Sequence, residues 1–246
     1  MRFHRLKALL LSLLAVAAVG SASATVLTDV NIGSYPGPST ASYNSQTGYY
    51  TVTIYGTSSE NNSYRNFDYT SITGNFTVTT ELVNLPAVAG GSSQVVQSGL
   101  MVRNSVPGKT LSGTSYETSA LFTSTAGGIT PSYDSCSGST CSSSYAASVS
   151  SSSPMYVRLT RVGNQFTDYW STDGSTWNAI ATQTLNMSST AYVGLLSMAD
   201  TQATATFNYY NLNGIPAASV SAPGVTVLLT LAAALSLGLR RKIALS

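Results

Sequence analysis

The sequence is poor in the side chains that carry most enzyme chemistry. It holds one histidine, His4, two cysteines and two tryptophans, and only 8% of its 246 residues are charged. Beyond residue 24 there is no histidine, which excludes a Ser-His-Asp or Cys-His mechanism and a His-ligated zinc site in that part. Two cysteines cannot supply a four-thiolate metal site either. Cys136 and Cys141 are separated by Ser-Gly-Ser-Thr. In an exported chain that spacing predicts a small local disulfide loop, contributing about 2 kcal/mol by the chain-entropy estimate. No amphipathic stretch of helical length is present. No Asp-rich calcium loop is present either, so metal binding is left open.

The few charges are unevenly placed. Six of the eleven basic residues lie in the two ends, each group beside an apolar run. Arg2, Arg5 and Lys7 precede Ala8–Gly20 and then Ala22-Ser23-Ala24. That order predicts a signal peptide over 1–24. Val225–Leu239 is apolar and runs into Arg240-Arg241-Lys242, which predicts a hydrophobic helix in the membrane with its basic end on the cytoplasmic side. As a helix it is about 22 Å long, short of a ~30 Å hydrocarbon core unless preceding residues join it. Between Thr25 and Ser219, five basic residues face nine acidic ones, a net charge of −4. A nucleic-acid partner is therefore not expected.

The middle of the chain reads as all-β. Short β-branched and aromatic runs recur between turn residues: Tyr49–Tyr55, Asn75–Val83, Gly99–Arg103, Thr118–Thr123, Tyr156–Val162, Gln165–Ser171, Trp177–Thr182, Ala191–Met198 and Ala203–Leu212. Several alternate, Phe76 and Val78 against Thr77 and Thr79, as strands of two packed antiparallel sheets do. Gly163-Asn164 and Asp173-Gly174 suit tight hairpins and predict a three-stranded meander over Tyr156–Thr182. Cys136–Pro154 is Ser-rich with few large apolar residues, and predicts a surface loop. The expected division is a signal peptide at 1–24, a β-sandwich at 25–214, a linker and sorting motif at 215–224, and a hydrophobic helix with a basic end at 225–246.

Several stretches carry resemblances. Asn75–Val83, Ser98-Gly99-Leu100-Met101-Val102-Arg103-Asn104-Ser105, and the run from Tyr156 through Ser171–Trp177 to Tyr192-Val193-Gly194-Leu195 and Ala205-Thr206-Phe207-Asn208 resemble a bacterial secreted branch of the concanavalin A-like lectin/glucanase superfamily. The resemblance implies a jelly-roll sandwich of two antiparallel sheets. It implies no single activity, since members bind sugars, hydrolyse glycans or serve as accessory modules, and many bind calcium at a loop edge. The glucanase branch sets its acids on one strand as Glu-x-Asp-x-x-Glu, and no such cluster exists here. Ser171–Trp177 also resembles the Asp-box hairpin, in which Asp173 would fold back onto turn amides and Trp177 would pack beneath. Val220-Ser221-Ala222-Pro223-Gly224 with the apolar helix and basic end resembles the PEP-CTERM sorting signals of Gram-negative bacteria, with Ser221-Ala222-Pro223 where those carry Pro-Glu-Pro. That implies export across the inner membrane, a membrane contact through 225–239 and a sorting protease as partner. An ordinary single-span anchor is the plainer reading.

Strand parity supplies a candidate ligand face. Leu100 and Val102 take one side and Arg103 the other, while Tyr156 and Arg158 lie opposite Val157 and Leu159. Arginine beside tyrosine on a sheet suits sugar recognition: planar donors for hydroxyls, an aromatic plane for the ring. Asp168, between Phe166 and Trp170, needs a partner, and Arg103 or Arg158 would provide it. The expected site is Arg103, Tyr156, Arg158 and Asp168 on one accessible face. A solvated face with cross-strand charge pairs is the plainer alternative. The functional expectation is a non-catalytic, exported, surface-associated sandwich binding carbohydrate or extracellular polymer. The alternatives are a structural surface or biofilm component with no small-ligand site and a divergent glycan-active enzyme. No cofactor is expected beyond calcium, which the resemblance leaves open.

Overall fold

A computed structural model describes residues 27–32, 39–44, 46–54, 65–85, 94–106, 116–137, 140–149, 154–199, 203–212 and 215–216, and all regular structure among them is β-strand. Numbered along the chain, one sheet runs in spatial order β1 (Thr28–Ile32), β4 (Arg65–Thr73), β13 (Thr190–Ala199), β6 (Val96–Arg103), β7 (Tyr116–Thr125), β8 (Gly128–Ser137) and β9 (Thr140–Tyr145). The other runs β12 (Asn178–Thr184), β11 (Gln165–Ser171), β10 (Met155–Val162), β5 (Phe76–Asn84), β14 (Ala203–Leu212), β3 (Tyr49–Ile54) and β2 (Thr40–Asn44), with β15 (Ile215–Pro216) on β14. The fold is the all-β sandwich of two antiparallel sheets.

Alternation decides which side chains meet between the sheets. Leu100, Val102, Ala120, Phe122, Val193 and Leu195 of the seven-stranded sheet pack on Val52, Val78, Val157, Leu159, Phe166 and Phe207 of the eight-stranded one. The opposite parity of the seven-stranded sheet builds a second buried cluster on its outer face, from Ile32, Phe67, Met101, Leu121 and Leu196. Every residue of β6 is consequently buried, because its two faces both carry apolar layers. The meander forms as expected. Gly163 and Gly174 hold φ of 61° and 69° at its two turns, a region open to glycine without steric cost.

Three expectations change. Strands β1, β2, β4, β8, β9 and β15 were not legible as strands, since Asn66, Asp68, Pro131 and the serines of β8 and β9 break the β-branched pattern. Cys136–Pro154 is not a loop throughout: Cys136 ends on β8 and Thr140–Tyr145 is an edge strand, exposed along its whole length. The expected disulfide is present, with Cys136 and Cys141 directly opposite in register and their Cα atoms 4.1 Å apart. The linker does not start at 215, because Ile215 and Pro216 still pair with Leu212 and Asn211. The expected signal helix and C-terminal hydrophobic helix lie outside the described residues. Among the described residues no helix is long and apolar enough to cross a membrane.

Candidate functional site

Tyr156 and Arg158 stand on the outer face of the eight-stranded sheet, as parity requires once Val157 and Leu159 enter the core. Register sets Tyr156 opposite Glu81, and Arg158 between Thr79 on one side and Tyr169 on the other. Arg158 Nε donates to Thr79 Oγ1 at 3.2 Å. The guanidinium carbon lies 3.8 Å from the ring centroid of Trp177, a stacked cation–π contact. Tyr156, Arg158, Tyr169 and Trp177 are all half-buried, so this is a reachable strip of planar groups.

The hairpin between β11 and β12 delivers Trp177. Asp173 Oδ1 accepts from the Ser175 and Thr176 amides, both at 2.7 Å, and from the Ser171 hydroxyl at 2.9 Å. Those donors hold the Asp173 carboxyl well below the usual carboxylate range. A Cβ on Gly174 would meet the Tyr156 ring at 3.4 Å, so the turn rests on that ring. Burial raises the Tyr156 phenol, and the charge and hydrogen bond of Glu81 raise it further, with Asp173 adding to both. The hairpin thus does fold back on Asp173, but Trp177 lies against Arg158 on the outer face.

Arg103 does not join this strip. It shares the parity of Met101, on the outer face of the other sheet, and is 2% exposed. Glu117, opposite it in register, lies between two guanidinium groups: Arg65 Nη1 is 2.6 Å from Oε1 and Arg103 Nε is 3.3 Å from Oε2. The second contact is an ion pair without hydrogen-bond geometry, since Arg103 Nε and Nη1 and Glu117 Oε2 have no hydrogen-bond partner. Burial lowers the Arg103 pKa, Glu117 opposes that shift, and Arg65 adds to it. Burial raises the Asp134 carboxyl, with Arg65 pulling it down and Glu117 pushing it up. The disulfide closes one side of the cluster, with Cys136 Sγ 3.8 Å from Glu117 Oε1. Two arginines and two carboxylates make a charge-balanced cluster, with Arg103 and Glu117 buried and Arg65 and Asp134 half-buried.

Asp168 is placed in a third location. It faces the space between the sheets and is fully buried. Its Oδ2 accepts from Thr118 Oγ1 at 3.0 Å and from Gln183 Nε2 at 2.7 Å, while Oδ1 has no partner. Neither Arg103 nor Arg158 provides its partner. Burial raises its pKa to about 7 against the pull of the two hydrogen bonds. The expected single face is therefore a correction: Tyr156 and Arg158 stay together, Arg103 goes to the far side of the molecule, and Asp168 goes inside. Parity within each strand was right. What it cannot say is which sheet a strand joins, and β6 and β10 join different ones.

Trp177 was not expected in the site because the Asp-box resemblance assigned it a structural place beneath the turn, whereas Arg158 lies over its ring. Arg161 was missed because it has the core parity of Leu159. It lies at the open end of the sandwich and donates to the carbonyls of Gly163, Met187, Ser188 and Ser189. Among the described residues no three His, Cys, Asp or Glu side chains converge.

No protein-family model matches the sequence, and no curated protein sequence matches it. Solved structures do share its fold. A functionally unknown protein from Saccharomyces cerevisiae aligns with a TM-score of 0.58 at 15% identity, over 77% of this chain and 97% of that one. A xylan β-1,4-xylosidase from Bacillus halodurans aligns at 0.49 and 12% identity, over 66% of this chain and 32% of that one. A carbohydrate-binding module from Bacillus subtilis aligns at 0.47 and 11% identity, over 77% and 97%. Likeness at such identities is a likeness of fold.

Proposed function

We propose that this protein is an exported, surface-associated β-sandwich that binds carbohydrate or extracellular polymer without cleaving it. The observation that carries the reading is the stack of Arg158 on Trp177, with Tyr156 beside it, on a reachable sheet face. Aromatic planes suit the C–H faces of sugar rings, and guanidinium, phenol and threonine groups suit their hydroxyls. Glu81, opposite Tyr156, adds an acceptor to the same strip. Hydrolysis of a glycosidic bond needs one carboxyl protonated and a second placed across the scissile bond. Asp173, the other carboxylate acting on Tyr156, is held ionised by its turn amides and is unsuited to the acid role. Export rests on the layout of residues 1–24 and 220–242 in the sequence.

A glycan array probed with the purified protein tests the reading. Binding to a polysaccharide class is expected, lost in Arg158→Ala and in Trp177→Ala with nearly unchanged melting temperatures. Binding that survives both substitutions places the ligand elsewhere, and turnover of a bound glycan overturns the non-catalytic assignment.

A further inference from the structure

The Cys136–Cys141 disulfide lies across one edge of the seven-stranded sheet, and its two sulfurs stand in different surroundings. Strand β9 is the last strand of that sheet. Its residues, Thr140-Cys141-Ser142-Ser143-Ser144-Tyr145, are all exposed and none is charged. Cys136 on β8 is 2% exposed. Register sets Cys136 between Cys141 on one side and Glu117 of β7 on the other. Residues opposite in register share a face, so one row runs from Glu117 through Cys136 to Cys141 and then off the sheet. Glu117 Oε1 is 3.8 Å from Cys136 Sγ, and Arg65 Nη1 is 2.6 Å from the same oxygen.

A thiolate displaces one sulfur of a disulfide by attacking the other, in line with the bond that breaks. At Cys136 that approach comes from the Glu117 side, which Glu117 and its two arginines already fill. At Cys141 it comes from beyond β9, where no further strand pairs among the described residues. No charged side chain on β9 repels an incoming anion. Access therefore selects one sulfur of the two.

We propose that Cys141 is a covalent modification site, which takes up a small-molecule thiol by disulfide exchange. The incoming thiolate forms a new S–S bond to Cys141 Sγ. The bond to Cys136 breaks, its electron pair leaves with Cys136 Sγ, and that sulfur takes up the one proton the entering thiol gave up. One disulfide replaces another and one thiol replaces another, so no oxidant or reductant is consumed. The Cys136 thiol then has Glu117 Oε1 as the acceptor for its S–H. The edge keeps its place without the bridge, because β9 is paired to β8 from Ser132 opposite Tyr145 to Ser137 opposite Thr140. Past β9, the Ala146 and Val149 amides donate to the Pro131 and Ile129 carbonyls at 2.8 and 2.9 Å. Exchange thus adds a group to the sheet edge without unfolding it. The strip around Arg158 and Trp177 belongs to the other sheet, so the two sites stand or fall separately.

The test uses the purified full chain with its disulfide intact. The protein is incubated with reduced glutathione and, separately, with the smaller and uncharged 2-mercaptoethanol, quenched in acid at short times and digested with pepsin. Fragmentation of the peptide spanning Cys136 and Cys141 in a mass spectrometer locates the adduct. Both thiols are expected on Cys141, in at least about ten-fold excess over Cys136. An adduct on Cys136, an even split, or a bridge that stays closed while cystine exchanges under the same conditions overturns the proposal. Two variants give a second readout. Cys136→Ser leaves the edge thiol and Cys141→Ser the buried one, and an aromatic disulfide reagent should label the first at least about ten-fold faster. Equal labelling rates overturn the proposal as well.

Discussion

Asp168 on β11 accepts a hydrogen bond from Thr118 on β7, 3.0 Å away across the gap between the two sheets. The contact joins the two sheets at a polar point in the interior. Its pH dependence has a definite sign. Burial raises the folded-state pKa from 3.8 to about 7, so the fold disfavours the ionised form. Its contribution to stability is whole below about pH 4 and is lost as pH rises through 7. Asp168→Asn should therefore change little at pH 4 and stabilise by on the order of a few kcal/mol at pH 8. Melting curves of variant and wild type at pH 4, 6 and 8 check this. A difference between the two that stays constant with pH would sink it.

Arg161 should be a large contributor to stability. It is 3% exposed, donates to four backbone carbonyls, and lies 5.3 Å from the Phe166 ring centroid. Arg161→Ala would take four hydrogen bonds from carbonyls, that of buried Met187 among them, and open the end of the core, a loss of about 2–4 kcal/mol. Arg161→Lys should recover little, because one ammonium cannot serve the same fan of acceptors. Urea unfolding reads both, and a loss of unfolding free energy below about 1 kcal/mol would contradict this role.

The contrast between Arg161 and Arg158 shows how far the sequence could be read. Alternation in Tyr156-Val157-Arg158-Leu159 assigned faces correctly, because a strand has one periodicity and the core demands Val157 and Leu159. The three-stranded meander was legible for the same reason, helped by Gly163 and Gly174 at positions that need positive φ. Two things were not legible. Partnership between sheets depends on chain crossovers that no local pattern encodes, and so Arg103 was grouped with Arg158. Strands such as β4 carry buried Asn66 and Asp68, whose polarity mimics a loop.

The disulfide should matter modestly. It joins register partners across a hairpin at the sheet edge and closes a loop only five residues apart in sequence. The chain-entropy estimate for so short a loop is about 2 kcal/mol. Cys141→Ser, at the exposed end, should cost about that much and leave the protein folded. Loss of the folded state on reduction would show instead that β9 belongs to the cooperative core.

Glu117 should be the costliest carboxylate to remove. It is fully buried and is the counter-ion of both Arg65 and Arg103. Deleting one member of a buried ion pair leaves uncompensated charge, which costs about 3–5 kcal/mol, more than the pair itself contributes. Asp134 offsets part of this. Glu117 repels it, so Glu117→Ala makes Asp134 easier to ionise beside Arg65. No such relief reaches Arg103 from its register neighbours, which are Glu117 and Tyr192. Glu117→Ala should therefore destabilise strongly, and adding Arg103→Met, which removes the stranded charge at similar volume, should restore part of the loss. Urea midpoints of the two single variants and the double variant measure the coupling. Strictly additive losses would show that the cluster does not act as a unit.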